Sequence, residues 1–359
     1  MRFRSIRILT SCLPLAMLVC AAYQSSAQST PRRSLLALSK RNHMLVIVDP
    51  ATLQVIARAP VGPDPHEVIA SADGRTAYVS IYGGGRYHAL SVIDLISQKA
   101  QPDIDTGALN GPHGLAFVGA EVWFTAEGAK AVARYDPASG KIDWILGTGQ
   151  NRTHMIYVTP DETQVYTTNV SSGTVSILAK VALPPMGPPP GMRPPSGPAP
   201  PAPGGGQPRM DWNETVIPVG KGDEGFDVPP DGHELWTANA QDGTLSIIDL
   251  ASKKVTATLD AGIFGANRLK FTPDGKLVFI SSLAKGDLFI YDSASRKQYK
   301  QVPIGHGAAG ILMDPVGSRA FIACSPDNYV AVVDLKTLEV TVHLDVGGEP
   351  DGLAWAVRP

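Results

Sequence analysis

Three histidines stand in nearly the same local setting, PHE at His66, PHG at His113 and THM at His154, separated by 47 and 41 residues. Aligning four later segments on the same pattern (EGF, NRL, AGI and PDG) extends the column to Gly225, Arg268, Gly310 and Asp351. Imidazoles brought to one point suit a transition metal, a general base or, when protonated, an anionic ligand. His66, His113 and His154 are therefore the candidate metal ligands. Arg268, Asp351 and His306 join them as candidate ligand-binding residues, and Glu127 or Cys324 could complete a metal set. Asn169 and Asn239 approach the same rim, where a turn or hydrogen-bonding role is the plainer reading. Other chemistry is missing from the chain: there is no C-x-x-C-H for covalent haem, no G-x-S-x-G elbow and no C-x-x-C pair for zinc.

A spacing near 42 residues has to come from a repeated element. Each unit carries an apolar run ending at a turn such as Asp73-Gly74 or Asp274-Gly275, then a second run as in TAYVS, QVYTTN, ELWTAN and LVFIS. A third run ends in Asp, as in LSVID, LSIID and LFIYD, and a fourth, alternating run ends at Gly. Short runs rich in Val, Ile, Thr and Tyr between tight turns are antiparallel strands, and no stretch sustains a helical period. The third-run aspartates are Asp49, Asp94, Asp136, Asp249, Asp292 and Asp334, with steps of 45, 42, 113, 43 and 42. Their recurrence marks turn residues and not an acid–base pair. The long step hides one more unit, with Leu178 in the Asp position. The terminal PDGLAWAV supplies one strand to the three that open the domain, so the total is seven. An all-β, seven-bladed propeller of four-stranded antiparallel blades follows, closed by pairing the N- and C-terminal strands.

The YVSI, YTTN and WTAN runs, set in units of the form V-G-x-x-P…D-G…YVTN…V-x-V-I-D, resemble the YVTN-family propeller repeat of bacterial surface and periplasmic proteins. That resemblance covers residues 28–359 apart from one insertion. It implies a superfamily of lactonases, haem-binding domains and non-enzymatic scaffolds, so it specifies fold and not activity. Three functions stay open: a binding module with a metal or small-ligand site at the mouth, a lactonase- or lyase-type enzyme, and noncovalent binding of a haem-like cofactor. In the enzyme reading His154 or His113 acts as base and Arg268 holds a substrate carboxylate.

The remaining segments bound the domain. Residues 181–209, in blade four, hold 12 prolines and read as a disordered polyproline-like loop. They fall between strands three and four, on the face away from the histidines, so they form no lid. YGGGR, Tyr82 to Arg86, is a glycine-rich hairpin tip with no phosphate-loop helix behind it. Residues 1–27 read as a secretory leader: Arg2, Arg4 and Arg7, an apolar run from Ile8 to Ala22, then Ser25-Ser26-Ala27. A lipoprotein reading at Cys12 fails because the apolar run continues past it. Cleavage after Ala27 removes three arginines and no acid, taking the net charge from -2 to -5. That balance gives no cationic field for nucleic acid. Cys324 is then the last cysteine, which excludes an intramolecular disulfide. A periplasmic or secreted monomer with a small-molecule or protein ligand, and no transmembrane segment, is expected. N-terminal sequencing of the exported protein should read from Gln28; retention of Met1 would overturn the leader assignment.

Overall fold

The computed structural model describes residues 29–183 and 209–359. The leader and the proline-rich core of the insertion lie outside the described residues. Seven four-stranded antiparallel sheets stand in a ring, and among the described residues the sole helical element is the 3-10 turn Gly83–Gly85, inside the expected YGGGR tip. No described helix is long and apolar enough to cross a membrane.

Blade one joins the two ends of the chain. Its innermost strand is Pro350–Val357, followed outward by Arg33–Ser39, Met44–Asp49 and Gln54–Pro60. Arg33 pairs with Val357 and Leu36 with Ala354 in that seam. The Arg33 guanidinium also bonds the buried Asp314 carboxylate of blade seven and lies 4.2 Å over the Trp355 ring. Closure is thus apolar, hydrogen-bonded and ionic together. Between blades, alternate side chains interdigitate. Phe279, Leu288 and Ile290 of blade six, for example, pack on Ile311, Ala320 and Ile322 of blade seven.

The six third-strand aspartates behave as turn residues. Asp94 accepts from the Ile96 and Ser97 amides at 2.8 and 3.0 Å, and Asp334 from Lys336 and Thr337 at 2.9 and 2.8 Å. In blade four the ladder runs further than composition suggests, to Ala182 opposite Met210. Val181 and Ala182 therefore belong to the strand and not to the insertion, because the proline run begins only at Pro184. These strand ends lie at the hairpin remote from His154.

Each innermost strand has the same irregularity. Its first residue pairs with the last residue of strand two, but its fourth pairs two places earlier: Thr153 with Asn169 and Ile156 with Thr167, Asp223 with Asn239 and Phe226 with Thr237. One extra residue is accommodated as a bulge, which turns two consecutive side chains toward the channel. A hydroxyl on strand two holds the bulge in four blades. The Glu67, Gly114, Met155 and Arg268 amides donate to Ser80, Thr125, Thr168 and Ser281 at 3.0, 2.9, 3.3 and 3.0 Å. Three of these hydroxyls also donate to the following blade, to the carbonyls of His154, Glu224 and Ala309 at 2.5, 2.9 and 2.7 Å.

Close approach at the bulge explains a glycine. A Cβ on Gly114 would lie 2.5 Å from the His154 carbonyl oxygen. Gly114→Ala should lower stability by about 1–3 kcal/mol through this backbone clash. Guanidinium denaturation checks it, and an unchanged midpoint would show that the ring has slack.

Candidate functional site

Three columns of the repeat converge at the top mouth. The second residue of each innermost strand forms the floor: His66, His113, His154, Glu224, Asn267, Ala309 and Asp351. The bulge register therefore replaces three members of the sequence column. Glu224, Asn267 and Ala309 occupy the slots expected for Gly225, Arg268 and Gly310, because the glycine and apolar residues on which those segments align stand one place later. Glu224 was missed for this reason alone. The first residue after strand two forms a second layer that includes Lys40, Tyr82, Glu127 and Leu283, and the residue before the innermost strand forms a third, with Asp64, Arg152 and Glu349. Lys40, Tyr82, Leu283, Arg152 and Glu349 of these outer layers join the floor in lining a cavity of about 350 Å³.

The three histidines are contiguous. His113 and His154 rings are 3.9 Å apart between centroids, and His66 and His113 rings 4.9 Å. Their nitrogens have different partners. Lys40 Nζ lies 2.8 Å from His66 Nε2, Asp64 lies 3.1 Å from the same nitrogen, and Asp351 lies 3.5 Å from Nδ1. His66 is thereby committed to a charged cluster on blades one and two. His113 is 2% exposed and its Nδ1 is buried without a hydrogen-bond partner. Burial first, then the positive charges around it, push its pKa well below the ordinary histidine value.

His154 is the most tightly held. Its Nδ1 bonds Glu127 Oε1, and its Nε2 lies 3.1 Å from Glu224 Oε2 in a charge contact outside hydrogen-bond geometry. Burial opposes the imidazolium, but the two carboxylates outweigh it and raise the pKa to about 9. Glu224 responds reciprocally: burial would raise its pKa, yet His154 and Arg152 hold it at about 2. The Tyr82 hydroxyl donates to Glu127 Oε2 at 2.5 Å, and Arg152 bridges Glu127 and Glu224 at 3.4 and 3.5 Å.

The remaining candidates separate. Arg268 lines the cavity, but its guanidinium bonds Glu67 instead of pairing with Asp351, which lies 3.4 Å from Lys40. The His306 side chain is 82% exposed and bonds Asp327, outside the cavity wall. Cys324 is buried with Sγ directed at the Ile304 carbonyl, so it faces no ligand site. Asn169 and Asn239 close their hairpins onto Ser176 and Ser246, each at 2.9 Å.

No family model matches the chain, and no curated protein matches it. Solved structures do. A functionally unknown protein from Desulfotomaculum acetoxidans superposes with TM-score 0.69 at 11% identity, covering 91% of this chain and 99% of that one. A putative 6-phosphogluconolactonase from Bacteroides uniformis gives 0.67 at 15%, covering 90% and 99%. Dihydro-heme d1 dehydrogenase NirN in complex with DHE gives 0.60 at 15%, covering 89% and 65%. The likeness is one of fold. At these identities the seven-bladed propeller is shared, and the site has to be read from its own residues.

Beside the floor, Asp223 is fully buried; its Oδ2 accepts from the Asn169 amide at 3.1 Å and its Oδ1 has no partner. Burial raises its pKa from 3.8 to about 8. The folded chain thus keeps a proton that the unfolded chain releases, so the contribution of Asp223 to stability should fall as pH rises from about 4 to 8, by at most about 1.4 kcal/mol per unit. Denaturation midpoints across that window should show a shallower decline for Asp223→Asn; equal slopes would locate the proton elsewhere.

Proposed function

We propose that this protein is a periplasmic or secreted binding module of YVTN-repeat type that takes a divalent transition-metal ion at its top mouth, with His113, His154 and Glu127 as ligands. The observation that carries this reading is the buried, unpartnered His113 Nδ1. His113, His154 and Glu127 each offer a donor atom within 4.8 Å of the others, and all three are buried. Metal–ligand bonds of about 2.0–2.2 Å set such atoms roughly 3.3 Å apart, so the metal would open the His154–Glu127 hydrogen bond and draw His113 toward that pair. Two imidazoles and a carboxylate suit zinc or a similar ion, with one position left toward the cavity.

The surroundings support the ligands. A metal would replace the proton between His154 and Glu127 and satisfy His113. Glu224 would then orient His154 from its other nitrogen, and the Tyr82 hydroxyl would orient Glu127, the outer arrangement that metal-binding histidines and carboxylates use. Charge agrees as well. With the Arg41–Glu349 pair neutral in itself, five further carboxylates (Asp64, Glu67, Glu127, Glu224 and Asp351) face three permanent cations (Lys40, Arg152 and Arg268), and with neutral imidazoles a divalent ion makes the balance even. The hydrolytic alternative is weaker, since Arg268, which it needs to hold a substrate carboxylate, is occupied by Glu67. The cavity is at the small end of ligand pockets, which favours an ion with a small molecule over a macrocycle.

Metal-stripped protein reloaded with zinc and desalted should retain about one equivalent by mass spectrometry of the metal. His113→Ala or Glu127→Gln should retain less than a tenth of that, and His306→Ala should match wild type. Wild type that retains none would remove the metal reading.

A further inference from the structure

We propose that the mouth also binds a small monocarboxylate, clamped between the Arg152 guanidinium and the open position of the metal; the proposal rests on the metal reading above.

The backbone singles out Arg152. The residue before each innermost strand is left-handed in all seven blades, with φ between +52° and +75°. Gly111, Gly222, Gly265 and Gly307 meet that demand without strain, whereas Asp64, Arg152 and Glu349 adopt it with full side chains. Arg152 and Glu349 line the cavity, so at these two positions the chain holds a charged side chain at the mouth where glycine would meet the backbone demand more easily. Arg152 is the cation among them. Asp64 is spent on His66 and Lys40, and Glu349 bonds Arg41.

Arg152 also has capacity left. Its side chain is 41% exposed, against 22% for Lys40 and 6% for Arg268, and both of its carboxylate contacts are long. A guanidinium carries five N–H donors in a planar fork, so a free edge remains to receive a ligand carboxylate in bidentate fashion. Its Nε lies 3.4 Å from Glu127, a metal ligand, and its Nη2 3.5 Å from Glu224, so one side chain would touch both the metal's own ligand and, through its remaining edge, the anion.

Charge and shape narrow the ligand. With the divalent ion in place the ring is even, so one negative charge is tolerated and a dianion such as phosphate is disfavoured among five carboxylates. Leu283, 52% exposed, and Ala309 supply an apolar wall, which suits a carboxylate carrying a short apolar body. No bond is made or broken in the chain; the ligand displaces solvent.

Benzoate is the probe, titrated by calorimetry and by the visible spectrum into protein held at saturating cobalt(II), so that changes in metal affinity do not enter. Wild type should bind benzoate and shift the cobalt bands, with benzyl alcohol and phosphate at least tenfold weaker. Arg152→Gln should weaken benzoate tenfold or more, and Arg152→Lys, which keeps the charge and loses the fork, should fall between. Cobalt-loaded protein that ignores benzoate, or binds it equally after Arg152→Gln, overturns the proposal. Failure to take up cobalt at all overturns the metal reading beneath it, and is seen before any benzoate is added.

Discussion

One extra residue in each innermost strand controls the whole mouth. Without it, strict alternation would direct every second side chain back between blades. With it, adjacent residues such as Asn267 and Arg268 both reach the cavity. Serine and threonine hydroxyls then bond the bulge amide of one blade and the floor carbonyl of the following one, so the backbones carrying His154 and Glu224 are located by their neighbours as well as by their own sheets. The seam of blade one, with Arg33 tied to Asp314, keeps that ring from opening.

A symmetric scaffold carries an asymmetric site. Blades two to five contribute the histidines, Glu127 and Glu224, and blade six adds Asn267 and Arg268, whereas Leu283, Ala309 and Ser325 make an uncharged stretch of the wall. The polar side is expensive to bury, and it is tolerated because nearly every charge has an opposite one in contact. His113 Nδ1, like Asp223 Oδ1, is a buried polar atom left without a hydrogen-bond partner. A neutral imidazole with a buried, unpaired nitrogen costs stability of the order of 1–3 kcal/mol. A ligand at that nitrogen would recover the loss.

Much of this was legible in the residues. The period, the number of blades, the terminal strand closure and the turn role of Asp49, Asp94 and their equivalents all follow from strand-length patterns and turn chemistry, which are local. His66, His113 and His154 were found because they share a position in that period. Glu224 was not, since the EGF segment aligns on Gly225 and Phe226, one place after the slot that the histidines hold. The left-handed column of Gly222, Gly265 and Gly307 could have located it, had the segments been matched on the residue before the strand. Tyr82, Lys40 and Arg152 lie just outside strands, where no apolar period marks them.

By itself, then, the sequence determined the architecture, because seven similar units can bury their faces only against one another and only in a ring. It also determined which residue types would be offered at the mouth. Tertiary structure alone decided their partners: that Arg268 turns to Glu67 and not Asp351, that His66 joins Lys40, that His306 stays in solvent, and that His154 is caught between two glutamates. Those outcomes depend on distances between blades and on burial, which raise or lower the energy of each charge and have no expression along the chain.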